Sequence, residues 1–317
     1  MNKFKNYLAT FGGLLVLACA CAFPATAQVN QTFSPINFPG AIFTNAADIN
    51  SDSDIVGAYQ STDRKFHGYL LSDGVFTSID FPGAKDTRAF GINSESLIVG
   101  QYTDASNKIH GYLLSNGSFN TIDVPNATRT DAWGINPAGE ITGSYKDASS
   151  KDHPYVLSNG SFATLDPPFD FSASLTHGIT PSGNKIVGCY FDMGGTMHSL
   201  LINHGSFITT DFPGSMMSMN WRINPAGRIV GHYTDAGGRN HGYLLSKGSF
   251  TSIDYPGALH TFTRGINPAG EIVGQYQSAD LMQHGFLLSQ DEDNDEGDCV
   301  GPLSIRARQC FAKSLWQ

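Results

Sequence analysis

The chain has 317 residues, of which 15% are charged, and its formal net charge is −9 at pH 7. A charged fraction below the usual value of about 25%, together with many glycines, argues against helical bundles and coiled coils and favours short strands and tight turns. The hydrophobic fraction of 40% is sufficient for a core and argues against global disorder. The negative charge argues against a nucleic-acid partner, because phosphate backbones are bound by basic side chains.

The first 27 residues have the pattern of a signal peptide. Two lysines precede an apolar run from Leu8 to Ala22, and residues 25–27 form a small-x-small cleavage site. The run is too short for a good spanning helix, and no later stretch approaches about 20 apolar residues. We therefore expect a mature protein that begins near Gln28, is secreted or periplasmic, and has no transmembrane span.

The cysteines are consistent with export. An alternative to the cleaved signal is a lipoprotein signal in which Cys19 or Cys21 is lipidated, but the residues around them fit that pattern poorly. Cys299 and Cys310 are close in sequence in a chain bound for an oxidising compartment, which predicts a disulfide; two unpaired thiols in a loose tail are the alternative. Cys189 lies in a strand pattern and is interpreted as a small buried hydrophobe. No spacing indicates zinc, so we predict neither a metal nor a cofactor.

From residue 28 to residue 289 the chain repeats itself six times. Each copy contains variants of Gly-Ile-Asn, Ile-Val-Gly-x-Tyr, His-Gly-Tyr-Leu-Leu-Ser and Ile-Asp-Phe-Pro, in that order. The histidine phrases are spaced 43 to 45 residues apart and begin at His67, His110, His153, His198, His241 and His284. A period of this length is typical of propellers and solenoids.

Each unit reads as four antiparallel strands. Turns such as Asn136-Pro-Ala-Gly139 and Asn116-Gly117 separate the strand patterns, because Asn, Pro and Gly supply the backbone angles that tight turns need. Four strands in each of six units predict an all-β, six-bladed β-propeller. Residues 33–38 form a fourth strand without a preceding blade, and we expect them to close the ring by pairing with the blade that begins at Gly265. A solenoid would need polar capping units at its ends, and none is visible.

The phrases His-Gly-Tyr-Leu-Leu-Ser-x-Gly-Ser-Phe, Ile-Asp-Phe-Pro-Gly-Ala and Gly-Ile-Asn-x-x-Gly-x-Ile-Val-Gly resemble bacterial extracellular repeats of the HAF type. The resemblance covers about residues 33–289, although His-Gly-Tyr or His-Gly-Phe replaces the His-Ala-Phe triplet for which the repeat is named. It implies an exported repeat protein and supplies no catalytic residues. The six repeated histidines are predicted to be structural, since a single active site does not need six copies, and each is expected to hold a neighbouring loop through a ring nitrogen.

A functional site is expected where the repeats differ near the propeller axis, at one mouth of the central channel. Just before each Gly-Ile-Asn phrase the chain carries large, varied side chains where small ones would pack. The ligand-binding candidates are Phe90, Trp133, His177, Trp221, Arg222, Arg264, Arg88 and Asp131. Aromatic faces beside Arg, His and Asp suit a sugar or another polar ligand. The alternatives are aromatics that fill gaps between blades and a solvated network of charges.

These observations favour an exported binding or surface-interaction module, with a small molecule, a glycan or a surface protein as its partner and the monomer as its expected state. A propeller enzyme, such as a polysaccharide hydrolase or lyase, is the first alternative, and its acid and base would have to come from Asp48, Asp131 and His177. A purely structural envelope protein is the second. Residues 290–298 are interpreted as an acidic linker, and residues 299–317 as a C-terminal tail.

Overall fold

The computed structural model describes residues 30–291, and within that range all regular structure is β-strand. The predicted signal peptide, most of the acidic linker, and Cys299 and Cys310 lie outside the described residues. The strands are, in chain order, β1 (Asn30–Ile36), β2 (Phe43–Ile49), β3 (Ile55–Gln60), β4 (Phe66–Ser72), β5 (Val75–Ile79), β6 (Asp86–Ile92), β7 (Ile98–Thr103), β8 (Ile109–Ser115), β9 (Ser118–Ile122), β10 (Arg129–Ile135), β11 (Ile141–Lys146), β12 (Asp152–Ser158), β13 (Ser161–Thr164), β14 (Ala173–Ile179), β15 (Lys185–Phe191), β16 (Met197–Asn203), β17 (Ser206–Thr209), β18 (Met217–Ile223), β19 (Ile229–Thr234), β20 (Asn240–Ser246), β21 (Ser249–Ile253), β22 (His260–Ile266), β23 (Ile272–Gln277) and β24 (Gln283–Asp291).

The predicted two-residue hairpins are present. Between β8 and β9, Asn116 and Gly117 have φ angles of 48° and 76°, the left-handed pair that such a turn requires. The equivalent turns at Asp73-Gly74 and Lys247-Gly248 have the same geometry. Local turn chemistry therefore sets the register of the two outer strands in these repeats.

The sheets adopt a β-propeller arrangement, but their count differs from the prediction of six separate blades. Four sheets are separate four-stranded meanders, namely β6–β9, β10–β13, β14–β17 and β18–β21. The other eight strands form one sheet with the path β22-β23-β24-β2-β3-β4-β5, from which β1 branches by pairing with β24. The two parts of this sheet meet at one parallel pair, Phe43 with Gln283, which is where the two ends of the described chain come together.

The ring is closed by the N-terminal strand, as predicted. β1 pairs antiparallel with β24 along its whole length, from Asn30 opposite Asp291 to Ile36 opposite Gly285. The closing strand thus begins before the predicted residue 33, and β24 includes the first two residues of the predicted acidic linker. Both differences have one cause, because residues 30 and 31 of β1 pair with residues 291 and 290 of β24, so that each strand lengthens the other.

The core lies between adjacent sheets. One cluster combines Val56 and Ile79 of the first repeat with Ala89, Ile98 and Tyr112 of the second, all buried. Fully buried rings recur at one repeat position, as Tyr69, Tyr112, Tyr155, Tyr243 and Phe286. Sheets covered on both faces leave mainly turns and loops for charged side chains, which accounts for the low charged fraction.

Candidate functional site

A β-bulge in the first strand of every repeat turns one side chain toward the axis. In β6 the ladder to β7 shifts between Ala89 and Gly91, so that Phe90 is the extra residue, and the first strands of the other repeats shift at the same place. A bulge bends a strand and redirects its extra side chain. The bulge residues are Ala47, Phe90, Trp133, His177, Trp221 and Arg264.

The large bulge residues pack against one another in what we call the aromatic layer, formed by Phe90, Trp133, His177, Trp221 and Arg264. The rings of Phe90 and Trp133 stack with centroids 4.2 Å apart, and those of His177 and Trp221 stack at the same separation. Trp133 meets His177 and Trp221 edge-on at 5.4 and 5.8 Å. The Arg264 guanidinium lies 4.3 Å from the centroid of the Trp221 ring. The structure therefore brings these five candidates together.

The members of the aromatic layer differ in exposure. Phe90, His177 and Trp221 are buried, whereas Trp133 and Arg264 are half-buried. The Nε of Arg264 has no hydrogen-bond partner among the described residues. The layer thus presents one half-buried indole, whereas burial lowers the pKa of the Arg264 guanidinium to about 10.

Polar groups beneath the layer fix its rings. The Trp133 indole donates to Ser144 Oγ at 3.1 Å, and the Trp221 indole donates to His232 Nδ1 at 3.0 Å. His177 Nδ1 lies 3.0 Å from the carbonyl oxygen of Asn220 and donates to it. Burial lowers the pKa of both His177 and His232 to about 3, so both imidazoles are neutral near pH 7.

One residue further along the first strands, a buried ion pair occupies the axis. Arg222 and Asp48 stand at the repeat position that is glycine in the other four copies, and Arg222 Nε lies 3.0 Å from Asp48 Oδ2. The Arg222 guanidinium also donates to the carbonyl oxygens of Phe90, Trp133, His177 and Trp221 at 2.5 to 3.2 Å. Burial raises the pKa of Asp48, and Arg222 acts against that rise. Arg222 therefore links repeats through hydrogen bonds to their backbone carbonyls, and it lies beneath the predicted ligand site.

Glycine at the other four positions leaves room for this arrangement. A Cβ on Gly91 would lie 2.8 Å from the carbonyl oxygen of Trp133, and one on Gly134 would collide with the carbonyl oxygen of His177. These are the same carbonyl groups that accept hydrogen bonds from Arg222. Sequence reasoning singled out Arg222 but missed its pairing with Asp48. The available signal for this pairing was that Asp48 and Arg222, which carry opposite charges, both replace glycine at the same repeat position.

On the side of the ion pair away from the aromatic layer, the axis widens into a cavity of about 110 Å³. All six repeats line it with the residues that follow the bulges, mainly Ile, Asn and Pro, and Asp48 and Arg222 also border it. Asn93 Nδ2 donates to the carbonyl oxygen of Asn136 at 3.0 Å, and Asn224 Nδ2 donates to that of Asn267 at 3.1 Å. The asparagines of the Gly-Ile-Asn phrase thus link neighbouring repeats.

The remaining two candidates lie on the strands away from the layer. The Arg88 guanidinium lies 3.8 Å from the centroid of the Phe66 ring. Asp131 is buried and accepts from Arg129 Nε at 2.6 Å and from Arg129 Nη2 at 3.0 Å. The three groups considered as acid and base for an enzyme are therefore engaged separately: Asp48 by Arg222, Asp131 by Arg129, and His177 by a backbone carbonyl.

The six repeated histidines lie in the outer part of the sheets. In five repeats Nδ1 contacts an aspartate thirteen residues later, for example Asp123 at 2.9 Å from His110, and in the last repeat His284 contacts Asn37 at 2.7 Å. The other ring nitrogen of His110, His153, His198 and His241 faces a second aspartate at 3.2 to 3.4 Å. Each imidazole also stacks on the tyrosine of its own repeat. These contacts join the third strand to the loops on either side of it.

Two further sequence predictions concern metals and thiols. Cys189 is a buried free cysteine, and burial raises the pKa of its thiol to about 12. Among the residues that the structure describes, no three His, Cys, Asp or Glu side chains are grouped to hold a metal ion. Over the same residues there is no helix that could span a membrane.

Comparison with known proteins gives structural similarity only. No protein-family model matches the chain, and no curated protein matches its sequence. AofleA from Arthrobotrys oligospora is similar in structure, with 10% identity, a TM-score of 0.54, and 86% of this chain and 91% of AofleA covered. A mutant Aleuria aurantia lectin solved with Fucα1-6GlcNAc is similar with 12% identity and a TM-score of 0.51, and the match covers 83% of this chain and 100% of the lectin. SapL1 lectin solved with α-methyl fucoside is similar with 12% identity and a TM-score of 0.52, and the match covers 82% of this chain and 98% of SapL1. At these identities the likeness supports the propeller fold.

Proposed function

We propose that this chain is an exported propeller of the HAF repeat type that binds a small carbohydrate over the aromatic layer. The observation that carries the proposal is the convergence of five bulge residues on the axis, with Trp133 left half-buried and the Arg264 guanidinium lying against the Trp221 ring. An indole supplies an apolar face for a sugar ring, and a guanidinium supplies donors for its oxygens. Two of the structurally similar propellers are lectins solved with fucosides, which is consistent with this ligand class.

The same proposal includes six blades. The eight-stranded sheet divides into two four-stranded meanders, β22-β23-β24-β1 and β2–β5, which share a single residue pair. Counting these meanders as two blades gives one blade for each sequence repeat. The bulge residue of each blade then contributes one position to the aromatic layer, with Ala47 as the small one.

A glycan-array screen of the mature protein tests the proposed ligand class. We expect binding to a limited set of glycans, and we expect Trp133→Ala to weaken it several-fold, up to about tenfold, since stacking on an aromatic face contributes on the order of 0.5–1.5 kcal/mol. Val75→Ala is the matched control, because Val75 is 64% exposed on an outer strand. The proposal is wrong if no glycan binds, or if the two variants bind alike while both remain folded.

A further inference from the structure

We propose that the carbohydrate bound over the aromatic layer is acidic, and that the guanidinium of Arg264 binds its carboxylate. The inference rests on the proposed function and specifies the class of sugar, namely a uronic acid or an oligosaccharide that contains one. The feature that carries it is an arginine at the propeller axis whose charge and hydrogen-bond donors are unmatched among the described residues.

The Arg264 guanidinium has one contact of note, which is with the Trp221 ring at 4.3 Å. Within residues 30–291 it forms no hydrogen bond and no ion pair, and its Nε is fully buried. Nη1 and Nη2 also lack partners but are not fully buried, so they retain contact with solvent. A guanidinium has five N–H donors and a permanent charge, and its removal from water without a partner costs free energy. An anionic ligand would supply the missing acceptor.

The fold provides no anion for this purpose. The two buried carboxylates of the described residues are Asp48 and Asp131. Arg222 Nε lies 3.0 Å from Asp48 Oδ2, and Arg129 Nε lies 2.6 Å from Asp131 Oδ2. Each carboxylate therefore already has its own arginine. The charge of Arg264 is left over, in a chain whose net charge is −9.

The residue beneath Arg264 leaves a second position unfilled. In the fifth repeat the bulge indole of Trp221 donates to His232, eleven residues later, at 3.0 Å, and the third repeat has the equivalent bond. In the last repeat the same two positions are Arg264 and Gln275. Arg264 Nε and Gln275 Oε1 are both buried and both lack a partner among the described residues. A sugar that offers a carboxylate to the first and a hydroxyl group to the second would satisfy both.

A carboxylate suits Arg264 better than a neutral sugar oxygen does. Burial and the nearby charge of Arg222 lower the Arg264 pKa to about 10, so the group is still protonated at pH 7. Hydrogen bonds between a guanidinium and a carboxylate are roughly twice as strong as those between neutral groups. Trp133 and Arg264 both contact the Trp221 ring, the former with centroids 5.8 Å apart. One sugar can therefore place its ring on the Trp133 indole and its carboxylate on the guanidinium.

Uronate-containing oligosaccharides, arrayed beside their methyl esters, test the inference. Esterification removes the charge and keeps the sugar ring, so any difference in binding reports on the carboxylate. We expect the acids to bind about tenfold or more tightly than the esters at pH 7, with affinity that falls as salt rises. Equal binding of acid and ester, or a preference for neutral or sulfated glycans, overturns the inference.

Variants assign the preference to one side chain. Arg264→Gln should remove the preference for acid over ester, and Arg264→Lys should keep part of it, since lysine retains the charge without the paired donors. Arg228→Gln is the matched control, because Arg228 is also half-buried with a buried, unpartnered Nε, but it follows the Asn-Pro-Ala-Gly turn of the fifth repeat. A preference that survives Arg264→Gln in the folded protein, or that Arg228→Gln removes equally, contradicts the assignment.

The same array separates this inference from the proposed function. If neutral glycans bind, Trp133→Ala weakens them, and acid and ester bind alike, the carbohydrate proposal stands and the role of Arg264 is wrong. If uronates bind through Arg264 but Trp133→Ala has no effect, the acidic ligand is supported and the stacking on Trp133 is refuted. If neither kind of glycan binds, both proposals are overturned.

Discussion

At the scale of single residues, two departures from the repeat determine the chemistry of the axis. Arg222 and Asp48 replace glycine and face each other, and the guanidinium donates to the backbone carbonyls of four bulge residues. A buried ion pair stabilises only when its remaining donors are satisfied, and here carbonyl groups satisfy them. Strict repetition of the sequence would have placed a glycine at this position in all six repeats.

Removal of one member of this pair should be costly. We expect Arg222→Gly to lower the free energy of unfolding by about 3–5 kcal/mol, because it leaves a buried carboxylate without its cation. The double variant Asp48→Gly/Arg222→Gly restores the repeat consensus and should lose less than the single variant. Denaturant unfolding at pH 7 measures both, and a double variant less stable than Arg222→Gly would contradict this account.

At the scale of strands and loops, the repeated histidines connect the third strand of each repeat to neighbouring loops through their ring nitrogens. His198 in β16 lies 2.7 Å from Asp211 and 3.4 Å from Asp192, so one imidazole bridges two loops. Partial burial alone would lower its pKa, but the two carboxylates outweigh burial and raise it above the usual value. A raised folded-state pKa means that protonation stabilises the fold, with the full effect below the unfolded pKa.

The stabilisation of the fold by the contacts of His198 with Asp211 and Asp192 should therefore weaken at high pH. The stabilisation is fully present below about pH 6.5 and is lost as pH rises through the higher folded-state pKa of His198. Asp211→Asn, which imitates the natural Asn37 at His284, should bring the His198 pKa down and reduce this pH dependence. NMR titration of the imidazole and unfolding at pH 6 and pH 9 measure the two effects. An unchanged His198 pKa in the variant would refute the role of Asp211.

At the scale of the whole molecule, one strand closes the ring. β1 lies at the start of the described chain and pairs with β24 near its end, so closure brings together residues about 250 positions apart. Without β1, the hydrogen-bonding edge of β24 and part of the cluster around Ile36 would be exposed. Closure also forms part of the wall of a cavity of about 310 Å³ between the first and last repeats, since Ser34 and Ile36 line it.

Deletion of residues 1–38 should open the ring, whereas deletion of residues 1–29 should leave it closed. We expect the longer deletion to lower the melting temperature and to cause self-association through the free edge of β24. A peptide of residues 28–38 added in trans should restore stability, and the same peptide with Phe33→Ser and Ile36→Ser should not. Thermal unfolding and size-exclusion chromatography test this, and equal stability of the two deletions would be the contrary result.

The sequence by itself determined the repeat, the four-stranded unit, the hairpin turns at Asn116-Gly117 and its equivalents, and the closing strand. These features follow from local pattern and from copies that can be compared within one chain. Only the tertiary structure decided that Phe90, Trp133, His177 and Trp221 stack on one another, that Arg222 pairs with Asp48, and that a cavity opens between the first and last repeats. These contacts join residues from different repeats around a common axis, and no local spacing encodes which of them meet or how much of each ring remains exposed.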